Sequence, residues 1–300
     1  FDVLHGHDWH PVNVLCRIKT EFGVPFAITY HSTEWGRNGN QYGSWWEAQE
    51  ISHREWLGGN KAKEVISTSA ILKDEIQHLY HIPDSRITEI PNGIYAGKIR
   101  KDVDAKKVKK SIGIHPLAPV VLFIGRMNYQ KGPDLLVEAI PAVLDHGRYK
   151  GYKGNGSDVR FVFIGEGEMR QNCEDLAAGS GVSDACRFLG YASDDTARDW
   201  YNACDIVCIP SRNEPFGIVV LEAWDAGKPV VATDAVRLVE NFKTGVTVYQ
   251  DANSIAWGIN YMIGRLAQNS FGKEGRHMVE TLYDWKTIAD ATLGVYGKVV

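Results

Sequence analysis

The stretch that decides the fold is Ile209-Pro-Ser-Arg-Asn-Glu-Pro-Phe-Gly-Ile-Val-Val-Leu-Glu-Ala-Trp224. An apolar run at residues 205–209 leads into it and predicts a buried strand, which the prolines and polar residues from Pro210 to Pro215 end. Helix-forming apolar sequence resumes at Phe216. The stretch therefore predicts a strand, a loop at its carboxyl end and the amino terminus of a helix. Open α/β sheets bind their ligands at this place.

Two glutamates lie in this stretch, Glu214 in the loop and Glu222 roughly two turns later in the predicted helix. A carboxylate among apolar helix residues is unfavourable unless a partner compensates for the lost hydration. Two interpretations of Glu222 remain open at this point. It forms an ion pair with a buried Arg or Lys, or it binds a ligand.

The chain has 300 residues, of which 44% are hydrophobic and 23% are charged, and its net charge is -4. This length accommodates two α/β domains, and the ordinary composition argues against a nucleic-acid-binding or disordered protein. The apolar runs are too short to span a membrane, and the amino terminus has no signal-peptide pattern. The 5 cysteines have no zinc spacing, which favours a reducing compartment. We therefore expect a cytoplasmic protein without a transmembrane segment.

Short apolar runs alternate with amphipathic helical stretches from end to end, which predicts βα units and parallel sheets. One series ends at Pro91-Asn-Gly93, and a second begins with the strand Val120 to Ile124. Between them, Tyr95 to Ser111 is rich in lysine, which favours a solvated linker and surface helix over an anion-binding patch. The glycine-rich segment Gly151 to Ser157 lacks the Lys-Ser/Thr end of a P-loop and predicts a surface turn. We expect two doubly wound domains that meet near residues 91–97.

Two cations follow the strand Val120 to Ile124, in Gly125-Arg-Met-Asn-Tyr-Gln-Lys131-Gly132. Gly125 allows a tight backbone turn, and Arg126 and Lys131 lie in the loop before the next helix. An arginine that chelates two oxygens, a lysine and a helix amino terminus together suit a diphosphate. The alternative is two surface cations.

Three histidines and an aspartate crowd the end of the first predicted strand, in His5-Gly-His7-Asp8-Trp-His10. They allow a metal site, although no fourth ligand is in register. The favoured interpretation is that these histidines line a cleft and hydrogen-bond a polar substrate, or that His5 or His10 lies in the core. His31-Ser-Thr-Glu34, after the second strand, points to the same edge of the sheet and begins a predicted polar loop that extends to Asn40.

Taken together, these residues resemble the retaining glycosyltransferases of the glycogen-synthase-like family, numbered families 4 and 5. The fold that this resemblance implies is two facing Rossmann-like domains, called GT-B, with the active site between them. Residues 1–94 form the acceptor-side domain, residues 95–280 the sugar-nucleotide domain, and residues 281–300 a helix that crosses back to the first. The motifs that carry the resemblance are His-x-His-Asp-Trp at 5–9, Pro-Asn-Gly at 91–93, Gly-Arg-x(4)-Lys-Gly at 125–132, Phe-Leu-Gly at 188–190 and Glu-Pro-Phe-Gly-x(4)-Glu at 214–222.

The resemblance also implies a role for each matching residue. Arg126 and Lys131 hold the donor diphosphate and stabilise the charge that grows on it. Glu214 binds the sugar hydroxyls, His7 lies over the sugar near the reacting carbon, and these four residues form the expected catalytic set. No protein nucleophile and no metal is required. The expected donor-binding residues are Gly125, Phe188, Leu189, Gly190, Phe216, Gly217, Ile218 and Glu222.

The function that the resemblance implies is transfer of glucose from ADP-glucose or UDP-glucose to the non-reducing end of an α-1,4-glucan, as in archaeal or bacterial glycogen synthases. Within the class, the alternative is a small or lipid-linked acceptor, as in sucrose-phosphate synthases or cell-envelope enzymes. A second alternative is an idle sugar-nucleotide-binding or glucan-binding module, and a metal hydrolase built on the histidines is the least favoured. The base of the donor, the acceptor and the oligomeric state stay open.

Two departures from the family pattern add expectations. Family members begin with a strand and a glycine-rich loop, whereas this chain begins at Phe1, so we expect the first domain to be truncated at its amino terminus. Family members also have Gly-Gly shortly after the strand that ends here in Ala232-Thr-Asp-Ala235. This chain continues Val-Arg-Leu-Val-Glu240 instead, which predicts a shortened loop or missing residues.

Overall fold

The computed structural model describes residues 1–149, 159–267 and 270–300, which form two compact units. Unit 1 comprises residues 1–93 and 282–300, and unit 2 comprises residues 94–281. The last segment of the chain thus belongs to the same unit as the first. The glycine-rich segment predicted as a turn lies outside the described residues.

Unit 1 is built on a parallel sheet of 4 strands in the order β1-β2-β3-β4. The alternating pattern of the sequence produces it, because each apolar strand is followed by a helix that returns the chain to the same edge. The strands are β1 Leu4–His7, β2 Phe26–Tyr30, β3 Glu64–Ser67 and β4 Ile87–Glu89. The helices are α1 Val12–Phe22, α2 Glu34–Arg37, α3 Trp46–Lys61, α4 Ala70–Tyr80 and, at the end of the chain, α12 Trp285–Val299.

The two faces of the first sheet are covered by different parts of the chain. On one face Phe26 and Ile28 pack with α1 and α4, whose Val12 and Ile76 are fully buried. On the other face Ile66 packs with residues of α12. The strand β2 is buried at every position, as a strand between two helical layers must be.

Unit 2 is built on a parallel sheet of 6 strands in the order β10-β9-β8-β5-β6-β7. The first of them in the chain, β5, lies inside the sheet, with the later strands added on both sides. The strands are β5 Val120–Ile124, β6 Arg160–Ile164, β7 Cys186–Gly190, β8 Ile206–Ile209, β9 Val230–Thr233 and β10 Gly245–Val248. The helices are α5 Ala105–Ser111, α6 Pro133–Tyr149, α7 Arg170–Gly179, α8 Asp194–Ala203, α9 Ile218–Asp225, α10 Ala252–Ile263 and α11 Ser270–Thr281. The predicted α/β class with two Rossmann-like parallel sheets is confirmed.

Two local predictions need correction. The polar loop after His31 contains the short helix α2, because the Thr33 hydroxyl accepts the N–H of Gly36 and caps it. The lysine-rich stretch is not solvated throughout, because Lys109 in α5 is buried and its Nζ donates to Asp205 Oδ2 over 2.7 Å and to the carbonyl of Ala118 over 2.9 Å.

Candidate functional site

The strand order of unit 2 places two loops side by side. The chain leaves β5 toward β6 on one side of the sheet, whereas β8 and β9 occupy the other side, so the order reverses between β5 and β8. Ligands of open α/β sheets bind outside the carboxyl ends of the strands at such a reversal. The loops that meet here are residues 125–132 and 210–217.

The loop after β5 is packed against the loop after β6 through bare backbone. A Cβ on Gly165 would lie 1.9 Å from the carbonyl oxygen of Gly125, and Gly165 has a φ of +135°. The N–H of Met127 donates to the carbonyl of Glu166 over 2.8 Å. Arg126, between the two contacts, is exposed at the edge of the sheet.

The loops after β5 and β8 are also joined to each other. Gly132 has a φ of +62°, and a Cβ there would lie 2.2 Å from the carbonyl oxygen of Pro210. The guanidinium of Arg212 donates to both carboxylate oxygens of Asp134 over 2.9 and 2.7 Å. The same guanidinium lies 4.1 Å from the ring centroid of Tyr129. These contacts fix the backbone that carries the charged side chains of the site.

The structure brings Lys131 and Glu214 into direct contact. Nζ of Lys131 lies 2.6 Å from Oε2 of Glu214, and the Ser211 hydroxyl donates to the same oxygen over 3.2 Å. The Glu214 side chain is 8% exposed, whereas that of Lys131 is 26% exposed. The carboxylate is thus held within the loop, while the ammonium group keeps a face open to a ligand.

Helix α9 begins directly after this ion pair. Gly217 caps it with a φ of +92° and brings no side chain to the first turn, so the first N–H groups receive no side-chain cap. Phe216 is buried, whereas Ile218 is 46% exposed. The helix amino terminus therefore lies next to Lys131 and Glu214, with a partial positive charge.

Glu222 lies farther along α9 and is held by a tyrosine. The hydroxyl of Tyr201, on α8, donates to Oε2 of Glu222 over 2.6 Å. Burial raises the pKa of Glu222, while the Tyr201 hydroxyl and the charge of Lys98 work against that rise. The sequence left open an ion pair between Glu222 and an Arg or Lys. In the structure the hydrogen-bond partner of Glu222 is instead the phenol hydroxyl of Tyr201.

Asp225, one turn beyond Glu222, is a residue that the sequence analysis missed. Its fully buried carboxylate accepts the N–H groups of Gly97, Ile99 and Arg100 over 2.7, 2.7 and 3.2 Å. It thereby ties α9 to the segment that contains Lys98. Its position three residues after Glu222, on the same helix face, was the available signal.

The predicted residues Phe188, Leu189 and Gly190 form the end of the edge strand β7. The Phe188 ring stacks on Phe163 with a centroid distance of 4.6 Å and packs against the core of unit 2. Directly after this strand end, Tyr191 is 82% exposed.

In unit 1 the structure brings His7 and His31 together. Nδ1 of His7 lies 3.0 Å from Nε2 of His31, and the two rings stack with centroids 5.3 Å apart. Asp8 accepts the backbone N–H of His31 over 2.8 Å, which holds the two strand ends side by side. His10 is not part of this group, since its ring stacks on Trp9.

His5 lies beneath His7, with both ring nitrogens engaged. Nδ1 lies 2.7 Å from the hydroxyl of Tyr296, and Nε2 lies 2.7 Å from the hydroxyl of Thr29. Burial and the neighbouring histidines lower the pKa of His5 to about 4. Burial also lowers the pKa of His7, an effect to which His31 adds and which Asp8 opposes. His5 is therefore neutral at pH 7.

A buried carboxylate fixes the loop that contains His31, and the sequence analysis did not find it. Glu55 of α3 is fully buried and accepts the N–H of Glu34 with both carboxylate oxygens, each over 3.0 Å. It also accepts a bond from Arg37 over 2.9 Å, and Arg37 in turn donates to Ser32 over 2.7 Å. Glu55 stands directly before Trp56 in α3, but the helix contains two other glutamates, so the sequence did not single it out.

Two features are absent from the part of the chain that the structure describes. Over residues 1–149, 159–267 and 270–300, no group of three or more His, Cys, Asp or Glu side chains is arranged to hold a metal ion. In the same part of the chain, no helix has both the length and the apolar character needed to cross a membrane.

Both units resemble known proteins. Residues 104–278 match the family model described as glycosyl transferases group 1, and residues 1–97 match the model described as glycosyltransferase family 4. An uncharacterized glycosyltransferase of Methanocaldococcus jannaschii is 33% identical over 304 residues, which cover 99% of this chain and 75% of that protein. The glycogen synthase of Mycobacterium tuberculosis is 29% identical over 303 residues, covering 98% and 68%. The crystal structure of Anabaena HepE with UDP and glucose aligns with a TM-score of 0.83 at 20% identity, covering 99% of this chain and 78% of HepE.

Proposed function

The chain belongs to the glycosyl transferases group 1 family and is a transferase, and from that premise we propose that it transfers a hexosyl group from a nucleoside diphosphate sugar with retention of configuration. The observation that carries this proposal is the ion pair of Lys131 and Glu214 at the reversal of the second sheet, beside the amino terminus of α9. The bound UDP and glucose of the Anabaena structure support the same class of donor.

In the proposed reaction the leaving group is a diphosphate, and the chain supplies positive charge for it. Lys131, Arg126 and the first N–H groups of α9 stabilise the charge that develops as the bond between sugar C1 and the phosphate oxygen breaks. The acceptor hydroxyl forms the new bond to C1 on the same face, and its proton passes to the departing phosphate oxygen. Glu214 positions the ammonium group of Lys131 and binds a sugar hydroxyl.

The two glutamates and His7 have positioning roles in this proposal. Glu222 accepts hydroxyls of the donor ribose, for which its buried carboxylate and the Tyr201 hydrogen bond provide a fixed acceptor. His7 binds the sugar near C1. The strand end from Phe188 to Gly190 and the loop at Gly125 face the base and the phosphates.

Donor and acceptor are proposed more specifically. The first candidate is transfer of glucose from ADP-glucose or UDP-glucose to an α-1,4-glucan, which the glycogen synthase relative supports. The proposed compartment is the cytoplasm, which the five free cysteines support. A small or lipid-linked acceptor is the second candidate.

The test measures release of nucleoside diphosphate from UDP-glucose and ADP-glucose, with glycogen and with small sugars as acceptors. Lys131→Met should lower the rate about 100-fold or more, because one charge-stabilising donor of the transition state is lost. Lys106→Met, on the exposed face of α5, is the matched control and should stay within about twofold of the unchanged protein. Equal rates in the two variants, or activity that disappears with chelator, would contradict the proposal.

A further inference from the structure

Unit 1 contains a cavity that the proposed donor chemistry uses only at its rim, through His7. Its volume is about 380 Å³, which lies in the range of small-molecule sites. Helix α12 forms one side, and the carboxyl ends of the four strands form the other, with His7 and His31 in the wall. A ligand in this cavity therefore reaches the edge of the sheet where His7 lies.

The walls of the cavity are apolar. Ile66 and Ile90 come from the sheet side, and Trp285, Ile288 and Leu293 come from α12. Leu293 is 62% exposed and Trp285 is 38% exposed, so the helix keeps large apolar side chains at the opening. Burial of an apolar group against these walls is favourable by roughly 25 cal/mol per Å² of surface removed from water.

The cavity also offers no permanently charged side chain. Among the lining residues that the structure describes there is no Asp, Glu, Lys or Arg. The His5 ring is neutral at pH 7, and both of its nitrogens are hydrogen-bonded to hydroxyl groups. A phosphate or carboxylate placed between the His5 ring and the apolar walls would lose its hydration without a lysine or arginine as partner, which is unfavourable. The lining thus favours an uncharged group over a phosphorylated one.

We propose that this cavity binds an uncharged, hydrophobic group attached to the acceptor sugar, an aglycone, and so favours a small acceptor that has such a group, the second candidate of the proposed function, over a bare glucan end. The inference rests on the proposed function in one respect, that the bound sugar is the acceptor of the transfer reaction. Binding itself does not depend on the donor. An aglycone enclosed by Ile66, Ile90 and α12 leaves its sugar at the rim, beside His7. A bare glucan end and a sugar phosphate both lack the group that fills the walls.

The experiment measures equilibrium binding by calorimetry without any donor, using 4-nitrophenyl α-D-glucoside, methyl α-D-glucoside and glucose 6-phosphate as probes. The aryl glucoside should bind about thirtyfold more tightly than the methyl glucoside, because its ring is buried in the cavity. Glucose 6-phosphate should bind no better than methyl glucoside. Equal dissociation constants for the aryl and methyl glucosides would overturn the proposal.

Two alanines of α12 provide a matched pair of variants. Ala289 lines the cavity, whereas Ala291 is an exposed residue of the same helix that is not among the lining residues. Ala289→Leu should weaken binding of the aryl glucoside about tenfold by filling the cavity, and Ala291→Leu should leave it within about twofold. Leu293→Ala removes part of the wall and should weaken the same binding. Equal effects of both alanine substitutions would place the ligand elsewhere and refute the assignment.

Because no donor is present, these measurements are independent of transfer. A protein that binds the aryl glucoside as described but releases no nucleoside diphosphate contradicts the proposed function and leaves the cavity assignment standing. A protein that transfers glucose but binds all three probes equally contradicts the cavity assignment and leaves the proposed function standing.

Discussion

Removal of one hydroxyl group, by Tyr201→Phe, tests the account of Glu222. The Tyr201 hydroxyl lies 2.6 Å from Oε2 of Glu222, and Tyr201 is 2% exposed, so water cannot take its place. A hydrogen bond to a charged group contributes about 1.5–3 kcal/mol, and a neutral one about 1 kcal/mol. We therefore expect a loss of about 2 kcal/mol where Glu222 is ionised, which corresponds to about 4–8 °C in the midpoint of thermal unfolding, and a smaller loss of about 1 kcal/mol where a lower pH has protonated it.

The dependence on pH follows from the pKa of Glu222. Burial raises this pKa above the ordinary value of 4.5, so the folded protein binds the proton more tightly than the unfolded chain. The stability that Glu222 contributes is fully present when the pH is below the pKa of Glu222 in the unfolded chain. It decreases as the pH rises through the higher pKa of Glu222 in the folded protein. Glu222→Gln removes the ionisation and should flatten this part of the profile.

The assay is urea unfolding, followed by circular dichroism, of the unchanged protein, both single variants and the double variant at pH 5 and pH 8. In the Glu222→Gln background, the effect of Tyr201→Phe should be the same at the two pH values, because no charge remains for the hydroxyl to stabilise. The reasoning is refuted if Tyr201→Phe is equally destabilising at both pH values in the protein that retains Glu222.

Three further predictions concern the backbone of the site, its support and the thiols. Gly165→Ala places a Cβ 1.9 Å from a backbone oxygen and should cost about 3 kcal/mol or more in urea unfolding, whereas Gly294→Ala, with open space in α12, should stabilise by up to about 1 kcal/mol; similar shifts would contradict the close packing. Asp225→Asn should cost about 2–4 kcal/mol in the same assay, while Asp199→Asn, in a more exposed ion pair, should cost less than about 1 kcal/mol, and a reversed order would be inconsistent with the structure. With Ellman's reagent, the half-buried Cys16 should react before unfolding and the four buried thiols after it, because burial shields them from the reagent and raises their pKa values far above the ordinary value; rapid reaction of all five would contradict this burial.

The sequence predicted the strand, loop and helix around Glu214 because that information is local. An apolar run, prolines and polar residues, and a second apolar run determine β8, its loop and α9 without reference to the rest of the chain. The contact between Lys131 and Glu214 was also within reach, since both follow parallel strands at the same edge. What the sequence left open was that β5 and β8 are neighbours, which depends on strand order.

The partners of buried charges were not predictable in the same way. Glu222 is bonded to a tyrosine 21 residues earlier, and Lys109 reaches Asp205, 96 residues later. Contacts between side chains of two packed elements depend on the relative rotation and axial offset of those elements. The hydrophobic periodicity of the sequence does not contain that information. Glu55 escaped notice for the same reason, because its partners lie in the loop after β2 and on α4.

Helix α12 has a consequence for how the protein is made. Its residues are translated after all of unit 2, yet Ile288, Val295 and Val299 cover one face of the sheet of unit 1. Unit 2 is continuous in the chain, so its contacts can form while synthesis continues, whereas the first sheet keeps Ile66 and Ile90 uncovered until the ribosome has passed residue 299. The sheet of unit 1 is thus translated before unit 2 but reaches its final packing after it, and during that interval its bare face is open to chaperones and to aggregation.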